Sequence, residues 1–372
     1  MVQASRILRP ALDAHVVGRR MTGNETYIVN LAEALARRPD VAPIAYVDEG
    51  VAWPHPNAPA VRHLRWRAPY LRIPVELPWR ARADGAELLH VQYVAPPLAW
   101  LPVVTAIHDV SFEDVPGLFR RRTELRLKAS VRLSARRSAA IVTISEFTRS
   151  RIAHHYGVDP DRIYVTHLGV DPRWRRLDGG AAAATLADLG LPADFILAVG
   201  NLHPRKNIPR LIRAVAGARR AGAGDLHLVL AGQRAWRADE VDAAIAAAGG
   251  ETWVHSLGYV DDQRLLALHT AAQVVAYISL YEGFGLPVLE ALACGAVVVA
   301  SSTTAVPEVA GKAAVLVDPA SDEAVMAGLV RAVTDAGLRA RLREAGPTRA
   351  AGFTWDACAE ATLAGYRAAL GR

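Results

Sequence analysis

A chain of 372 residues, 52% hydrophobic and 22% charged, has room for two domains with separate cores. Its net charge of +6 admits anionic partners, but its arginine-rich, alanine-rich usage reads first as a solvated basic surface. It holds no apolar run of about eighteen residues, no apolar signal core at its start and only two cysteines, Cys294 and Cys358; a membrane span, a secretory leader and a disulfide framework are therefore not expected, and the cytoplasm is the default.

Residues 12–17 (LDAHVV) read as a first strand, followed by a basic loop with Gly18, Arg19, Arg20 and Gly23. Thr22 and Glu25 have the spacing of a capping box, and 24–36 read as a helix with Tyr27, Leu31 and Leu35 on one face. Strand, glycine loop and helix in that order open a doubly wound α/β domain, and a helix N-terminus suits a phosphate. The GxGxxG dinucleotide fingerprint is absent. Residues 41–47 read as a second strand, 52–80 as loops with short elements, and 88–92 and 103–107 as further strands. The last of these ends at His108 and Asp109, which the binding of ligands beyond strand carboxyl ends puts at a crevice. Taken alone, such a histidine is more often structural than catalytic.

Residues 119–139 read as a basic amphipathic helix with an apolar stripe of Leu125, Leu127, Val131 and Leu133. The plainer reading is a domain helix with a solvated arginine face; the other is a membrane-surface helix serving a lipid-linked acceptor. A strand at 140–144 leads to Ser145 as the N-cap of a helix. Asp159-Pro160-Asp161 has the form of a D-x-D metal motif, yet it stands between a helix and a short strand at 163–166, where Asp-Pro-Asp is turn chemistry. With no HExxH or CxxC pattern, no metal site is expected. A hinge between domains is expected at 172–190, with 178–185 (DGGAAAAT) its most linker-like part.

The second half restarts with a strand at 195–199 and Gly200. Arg205 and Lys206 follow, in a loop ahead of a helix reaching 216. Adjacent cations at such a junction suit a diphosphate, although an Arg-Lys pair is more often plain surface. Strands are expected at 226–230 and 254–258, the latter followed by Tyr259 and Val260, with Asp261 as N-cap of a helix over 262–271. A strand at 274–278 then leads into Glu282, Gly283, Phe284, Gly285 and Leu286. Pro287 suits the first helical position, Glu290 the first turn and Gly295 the C′ position. Beyond it are a strand at 296–300, helices at 321–335 and 355–370, and Trp355, Cys358 and Leu363 on the apolar side of the last. Two glutamates eight residues apart around a Gly-x-Gly loop exceed what helix-dipole complementarity asks for.

In the context YEGFGLPVLEALACGAVVVAS, Glu282 and Glu290 match the E-x7-E motif of glycosyltransferase family 4, retaining enzymes of the GT-B fold. The segments beginning at His108, Ser145 (SEFT) and Gly200 (GNLHPRKNIPRLIRA) are similar to that family as well. The resemblance is strongest over 195–210 and 253–320 and weaker over 50–85. It implies two Rossmann-like doubly wound domains facing across a cleft: an acceptor-side domain at 1–175, joined by a C-terminal helix at 355–372, and a nucleotide-sugar domain at 190–354. It further implies that Arg205 and Lys206 hold the donor diphosphate, that Glu282 lies at the donor sugar and that Glu290 binds the ribose hydroxyls. Gly18 and Gly23 would close over the phosphates. Gly200 and the run Gly283, Phe284, Gly285 and Leu286 would line the donor, Tyr259 and Val260 would adjoin the base, and His108 would lie beside the transferring sugar.

The nucleotide-diphosphate sugar enters as co-substrate, with no further cofactor and no metal. The segment HDVSFED resembles those of mannosyltransferases, which makes GDP-mannose the expected donor. The expected acceptor is a glycan or lipid-linked glycan, with no nucleic acid; peripheral contact through 119–139 at the inner membrane face stays open as the alternative to a solvated helix. A sugar-nucleotide epimerase on the same fold and a non-catalytic two-domain sugar-binding protein are the alternatives. The E-x7-E context speaks against the first, the clustered cations against the second.

Overall fold

A computed structural model describes residues 7–19, 22–66, 68 and 71–372, apart from the side chain of Thr22. Contacts divide the chain into two compact units, Met1–Gly169 with Thr354–Arg372, and Val170–Phe353.

In the first unit, seven strands pair in parallel: β1 Pro10–Asp13, β2 Ile44–Asp48, β3 Ala60–Leu64, β4 Leu88–Gln92, β5 Val103–Ala106, β6 Ala140–Thr143 and β7 Ile163–Val165. Their order is β3-β2-β1-β4-β5-β6-β7. Parallel sheets are covered on both faces, which is why β4, β5 and β6 are buried at every residue. Helix α1 (Thr22–Ala36) joins β1 to β2 and packs with the C-terminal helix Trp355–Ala369. A π-turn Arg72–Glu76 continuing into α2 (Leu77–Ala83) joins β3 to β4. The short α3 (Ser111–Asp114) and α4 (Arg121–Arg137) join β5 to β6, and α5 (Glu146–Tyr156) leads towards β7.

Several expectations need correction here. The first strand is earlier and shorter than 12–17: Ala14 donates its N–H to the Tyr46 carbonyl and the chain turns, so the buried Val16 and Val17 belong to a loop. The second strand begins at Ile44 because Pro43 has no N–H for the ladder. Gly23, expected in the loop, lies inside α1. The Thr22 half of the capping box and Arg20 lie outside the described residues, and Glu25 accepts the N–H of Gly18 at 2.7 Å. The stripe expected on 119–139 is split. Val131 is buried, but Leu125 is 60% and Leu133 49% exposed, and small Ser134 and Ala135 take the inner positions. Asp159 accepts the Asp161 N–H and caps a single 3-10 turn, Pro160–Arg162.

The second unit has six parallel strands: β8 Phe195–Val199, β9 His227–Ala231, β10 Val254–Gly258, β11 Val274–Tyr277, β12 Val298–Ser301 and β13 Val315–Val317. Their order is β10-β9-β8-β11-β12-β13. The linker-like stretch 178–185 is instead part of helix α6 (Gly179–Asp188), with Ala182 and Leu186 buried. Its four alanines favour helix strongly enough to carry the two glycines at its start. Then come α7 (Ile208–Arg220), α8 (Asp239–Ala247), α9 (Asp262–Ala271), α10 (Leu286–Ala293), α11 (Val306–Ala310), α12 (Asp322–Thr334) and an unanticipated α13 (Ala336–Ala350). No helix among the described residues is long and apolar enough to cross a membrane.

Each sheet is a Rossmann-like doubly wound sheet whose order reverses beside its first strand, between β1 and β4 and between β8 and β11. Ligands of such sheets bind beyond the carboxyl ends at the reversal.

Candidate functional site

In the second unit the reversal gathers most of the charged residues singled out above. The chain leaves β8 through Gly200, whose φ of +127° is rare for side-chain-bearing residues. A Cβ there would also meet the Lys206 side chain at 3.1 Å, and a Cβ on Gly232 would lie only 2.1 Å from the Gly200 carbonyl oxygen. Pro204–Lys206 forms a 3-10 turn whose first N–H groups are partly met by the His203 ring, which accepts from Arg205 N at 3.3 Å. Asn207 takes the left-handed conformation, tolerated by asparagine, and starts α7. Its side-chain amide donates to the carbonyls of Ile278 (3.3 Å) and Pro319 (2.7 Å), while Leu280 N–H donates to the Arg205 carbonyl at 2.7 Å. These bonds tie the basic turn to the end of β11.

Glu282, 5% exposed, stands at that end. Lys206 Nζ donates to its Oε1 at 2.7 Å and Arg205 Nη1 to its Oε2 at 3.3 Å. Lys206 also donates to the Tyr277 hydroxyl at 2.6 Å, with its ammonium 4.4 Å from the Tyr277 ring centroid. Burial alone would raise the Glu282 pKa. Arg205 and Lys206, aided by the hydrogen bond from Lys206, outweigh it and hold the carboxyl at about 2. The Glu282 backbone is fixed from the loop after β12: its N–H donates to Thr304 Oγ1 at 3.3 Å and its carbonyl accepts from Ala305 N at 3.4 Å.

Gly283 and Phe284 are buried, and the Phe284 ring meets Phe353 edge-on at 5.9 Å. Gly285, with φ of +108°, is the N-cap of α10, and Leu286 is its first residue. Glu290 is the fifth residue of that helix, not in its first turn as expected. It is partly exposed, yet its pKa rises to about 8. Burial is the main cause, Asp262 and Asp171 add to it, and Arg173 opposes. Arg173 is itself gripped by Asp171 (2.8 Å) and Asp262 (2.9 Å). Tyr259, 56% exposed, and Val260 follow β10, which lies three places from β11 in the sheet. The structure thus brings Arg205, Lys206 and Glu282 into contact and sets Glu290 in a separate carboxylate-rich surrounding.

Sequence reasoning did not single out Tyr277, Asn207 or the Asp171–Arg173–Asp262 group. A tyrosine in an apolar strand reads as core. Asn207 was findable as a left-handed-tolerant residue between a basic turn and a helix.

In the first unit, Gly18 follows β1 with φ of +78° and Gly23 sits in the first turn of α1. His108 follows β5 and is 5% exposed. Its Nε2 is 3.2 Å from Gln92 Oε1, and its ring meets Tyr27 at 4.4 Å and Tyr93 at 5.6 Å, edge-on in both cases. Its buried Nδ1 has no hydrogen-bond partner among the described residues. Burial lowers its pKa to about 4, slightly opposed by Asp109. His90 lies behind it, held by the hydroxyls of Tyr27 (3.2 Å) and Tyr366 (2.8 Å), with a pKa lowered by burial and by His108 to about 3. Both imidazoles are neutral at pH 7, so His108 offers a hydrogen bond and not a stored proton.

Comparison with known proteins adds names to this geometry. Residues 189–349 match the family described as "Glycosyl transferases group 1", and residues 21–174 the family "Glycosyltransferase Family 4". O-antigen chain mannosyltransferase B of Escherichia coli is 32% identical over 265 residues, 71% of this chain and 70% of that protein. The MMP alpha-(1->4)-mannosyltransferase of Mycolicibacterium hassiacum is 33% identical over 247 residues, 64% of this chain and 56% of its own length. Sucrose-phosphate synthase of Thermosynechococcus elongatus superposes with a TM-score of 0.76 over 98% of this chain and 99% of that one, at 20% identity, a likeness of fold.

Proposed function

The chain belongs to glycosyltransferase family 4 and is a glycosyltransferase of the GT-B fold, and we propose from this that it moves mannose from GDP-mannose, with retention at the anomeric carbon, to a hydroxyl of a glycan or lipid-linked glycan. The observation that carries the reading is the Arg205–Lys206–Glu282 cluster at the strand reversal between β8 and β11. Arg205 and Lys206 hold the diphosphate and offset the charge that grows on it as it leaves. Glu282, ionised throughout the working pH range, orients the donor sugar. Glu290 binds the ribose hydroxyls; with its proton on, it both donates and accepts.

Gly200 and the run Gly283–Phe284–Gly285–Leu286 give the diphosphate close backbone approach. Tyr259 and Val260 border the base. Gly18 and Gly23 close on the phosphates from the start of α1, and neutral His108 hydrogen-bonds at the reacting face. No covalent intermediate enters the scheme: the departing phosphate takes the acceptor's proton. Mannose as the donor sugar is supported by the names of both relatives given above.

The test is turnover on a panel of GDP-mannose, UDP-glucose and ADP-glucose, with the product's anomeric centre read by NMR. The reading expects GDP-mannose to be used fastest and its anomeric configuration kept. Preference for another donor, an inverted product, or an epimer formed without acceptor contradicts it.

A further inference from the structure

The last residue of β4 carries a buried amide. Gln92 is 7% exposed and follows Leu88, Leu89 and Val91, in a place where an apolar side chain would leave no polar group to satisfy. It pairs with Ala106 of β5, two residues before His108. The chain leaves the strand immediately after it. Tyr93 takes φ of +59°, uncommon for a side chain of that size. Its N–H donates to the Ala106 carbonyl at 2.9 Å, and Val94 N–H folds back onto the Gln92 carbonyl at 2.7 Å. These bonds fix the backbone from which the Gln92 side chain starts. The His108 backbone is fixed in turn by Thr143 Oγ1 on the Ile107 carbonyl at 2.7 Å and Thr148 Oγ1 on the His108 carbonyl at 3.5 Å.

Gln92 Oε1 lies 3.2 Å from His108 Nε2. An amide oxygen only accepts, so the hydrogen of this bond belongs to Nε2. Burial keeps the ring neutral, and a neutral imidazole has a single N–H, so Nδ1 is left with a lone pair. Nδ1 is buried and has no hydrogen-bond partner among the described residues. The polar groups around the ring are engaged elsewhere. Asp109 accepts from Ser111 N and Oγ at 2.9 and 2.7 Å. The Tyr27 hydroxyl and His90 Nε2 bond each other at 3.2 Å, and the Tyr366 hydroxyl holds His90 Nδ1 at 2.8 Å. Edge-on contacts with Tyr27 and Tyr93 keep the His108 ring from turning over. Gln92 Nε2 is also buried without a partner among the described residues, so the bond to His108 is what holds this amide in place. A buried acceptor that no donor reaches is uncommon in a folded chain and marks a place for a ligand's donor.

We propose that Gln92 is a positioning residue: it holds His108 with the ring hydrogen on Nε2, so that Nδ1 accepts a hydrogen bond from a hydroxyl of the transferred sugar. The hydroxyl rests on the function proposed above; the tautomer does not. The opposite tautomer would set the Nε2 lone pair against Oε1, two acceptors face to face, and would turn an N–H towards the hydroxyl. An imidazolium would turn the same N–H outward. A carboxylate in place of Gln92 would accept the Nε2 hydrogen equally well, but its charge would favour the imidazolium. The neutral amide fixes the tautomer without adding a proton to the ring.

The tautomer is read by long-range proton–nitrogen NMR at neutral pH on the full chain with isotope-labelled histidine, His108 being assigned by its loss in His108→Gln. A protonated Nε2 and an unprotonated Nδ1 are expected. The Nδ1 signal should move on saturation with the donor that the parent uses fastest, and not with that donor's nucleoside diphosphate alone. Turnover is followed as release of the nucleoside diphosphate. Gln92→Met removes the acceptor and should lower kcat about tenfold or more, with the donor KM changed less than about threefold. Gln92→Glu keeps the acceptor and raises the His108 pKa; its kcat/KM should come within about threefold of the parent's at high pH and fall as pH drops through that raised pKa, where the parent stays flat. If Gln92→Met does not fold, the parent's spectrum and the Gln92→Glu profile decide. A lone pair on Nε2, an Nδ1 signal unmoved by donor, parental kcat in Gln92→Met or a flat Gln92→Glu profile would each overturn the proposal. Turnover of a donor other than GDP-mannose would contradict the donor proposed above and leave the tautomer standing; the wrong tautomer in a chain that uses GDP-mannose would do the reverse.

Discussion

Glu282 and Glu290 are the same residue eight positions apart, with opposite protonation behaviour. Two cations hold Glu282 at about 2, while burial with two neighbouring carboxylates lifts Glu290 to about 8. The consequences for stability differ in sign. Glu282 contributes stability above the ordinary glutamate range, lost as pH falls towards 2. Glu290 keeps a proton that the unfolded chain gives up near 4.5, so its contribution is full at low pH and is lost as pH rises through about 8. The variant Glu290→Gln should therefore gain Tm over the parent as pH goes from about 5 to about 9. Parallel Tm curves for the two proteins would show that Glu290 ionises normally. His108 and His90, held neutral with pKa values of about 4 and 3, should give no inflection in the kcat/KM profile between about pH 6 and 7. An inflection there that vanished in His108→Gln would contradict this assignment.

At the scale of elements, the site depends on turns more than on strands. Gly200 and Gly232 let the exits of β8 and β9 pass within backbone contact. Gly232→Ala drives a Cβ into the Gly200 carbonyl and should cost on the order of 3 kcal/mol or more, measured by denaturant unfolding; a loss under about 0.5 kcal/mol would mean that the loops give way freely. The same contrast governs what could be read in advance. The 88–92 strand was legible to the residue because Leu88, Leu89 and Val91 mark it and every position is buried. The apposition of Arg205 and Lys206 to Glu282 was legible only as two turns on neighbouring strands; the bonds between them depend on Asn207 and Tyr277, whose partners lie 71 residues away from each. The helix at Gly179–Asp188 was obscured by paired glycines, and Glu290 fell just past the first turn because α10 starts at Leu286, one residue before the expected Pro287. Leu125 and Leu133 misled for a different reason: a three-to-four-residue apolar spacing marks an inward face only when a partner covers it.

At the scale of the molecule, the chain's last helix is built into the unit that holds its start. Trp355, Cys358, Leu363 and Tyr366 are buried there, Tyr366 against His90. Burial on this scale is worth about 1.5–3 kcal/mol per large apolar side chain. Removing residues 354–372 should therefore render the first unit susceptible to proteolysis while leaving the second protected and still stabilised by GDP. Equal digestion of both units would refute that division. The central claim concerns the second unit's cluster, and the most direct test is the rate of GDP release from GDP-mannose with acceptor present, for the parent, Lys206→Ala and Glu282→Gln at matched folding. The account predicts that each substitution lowers kcat/KM by about 10²-fold or more; rates equal to the parent's would contradict it.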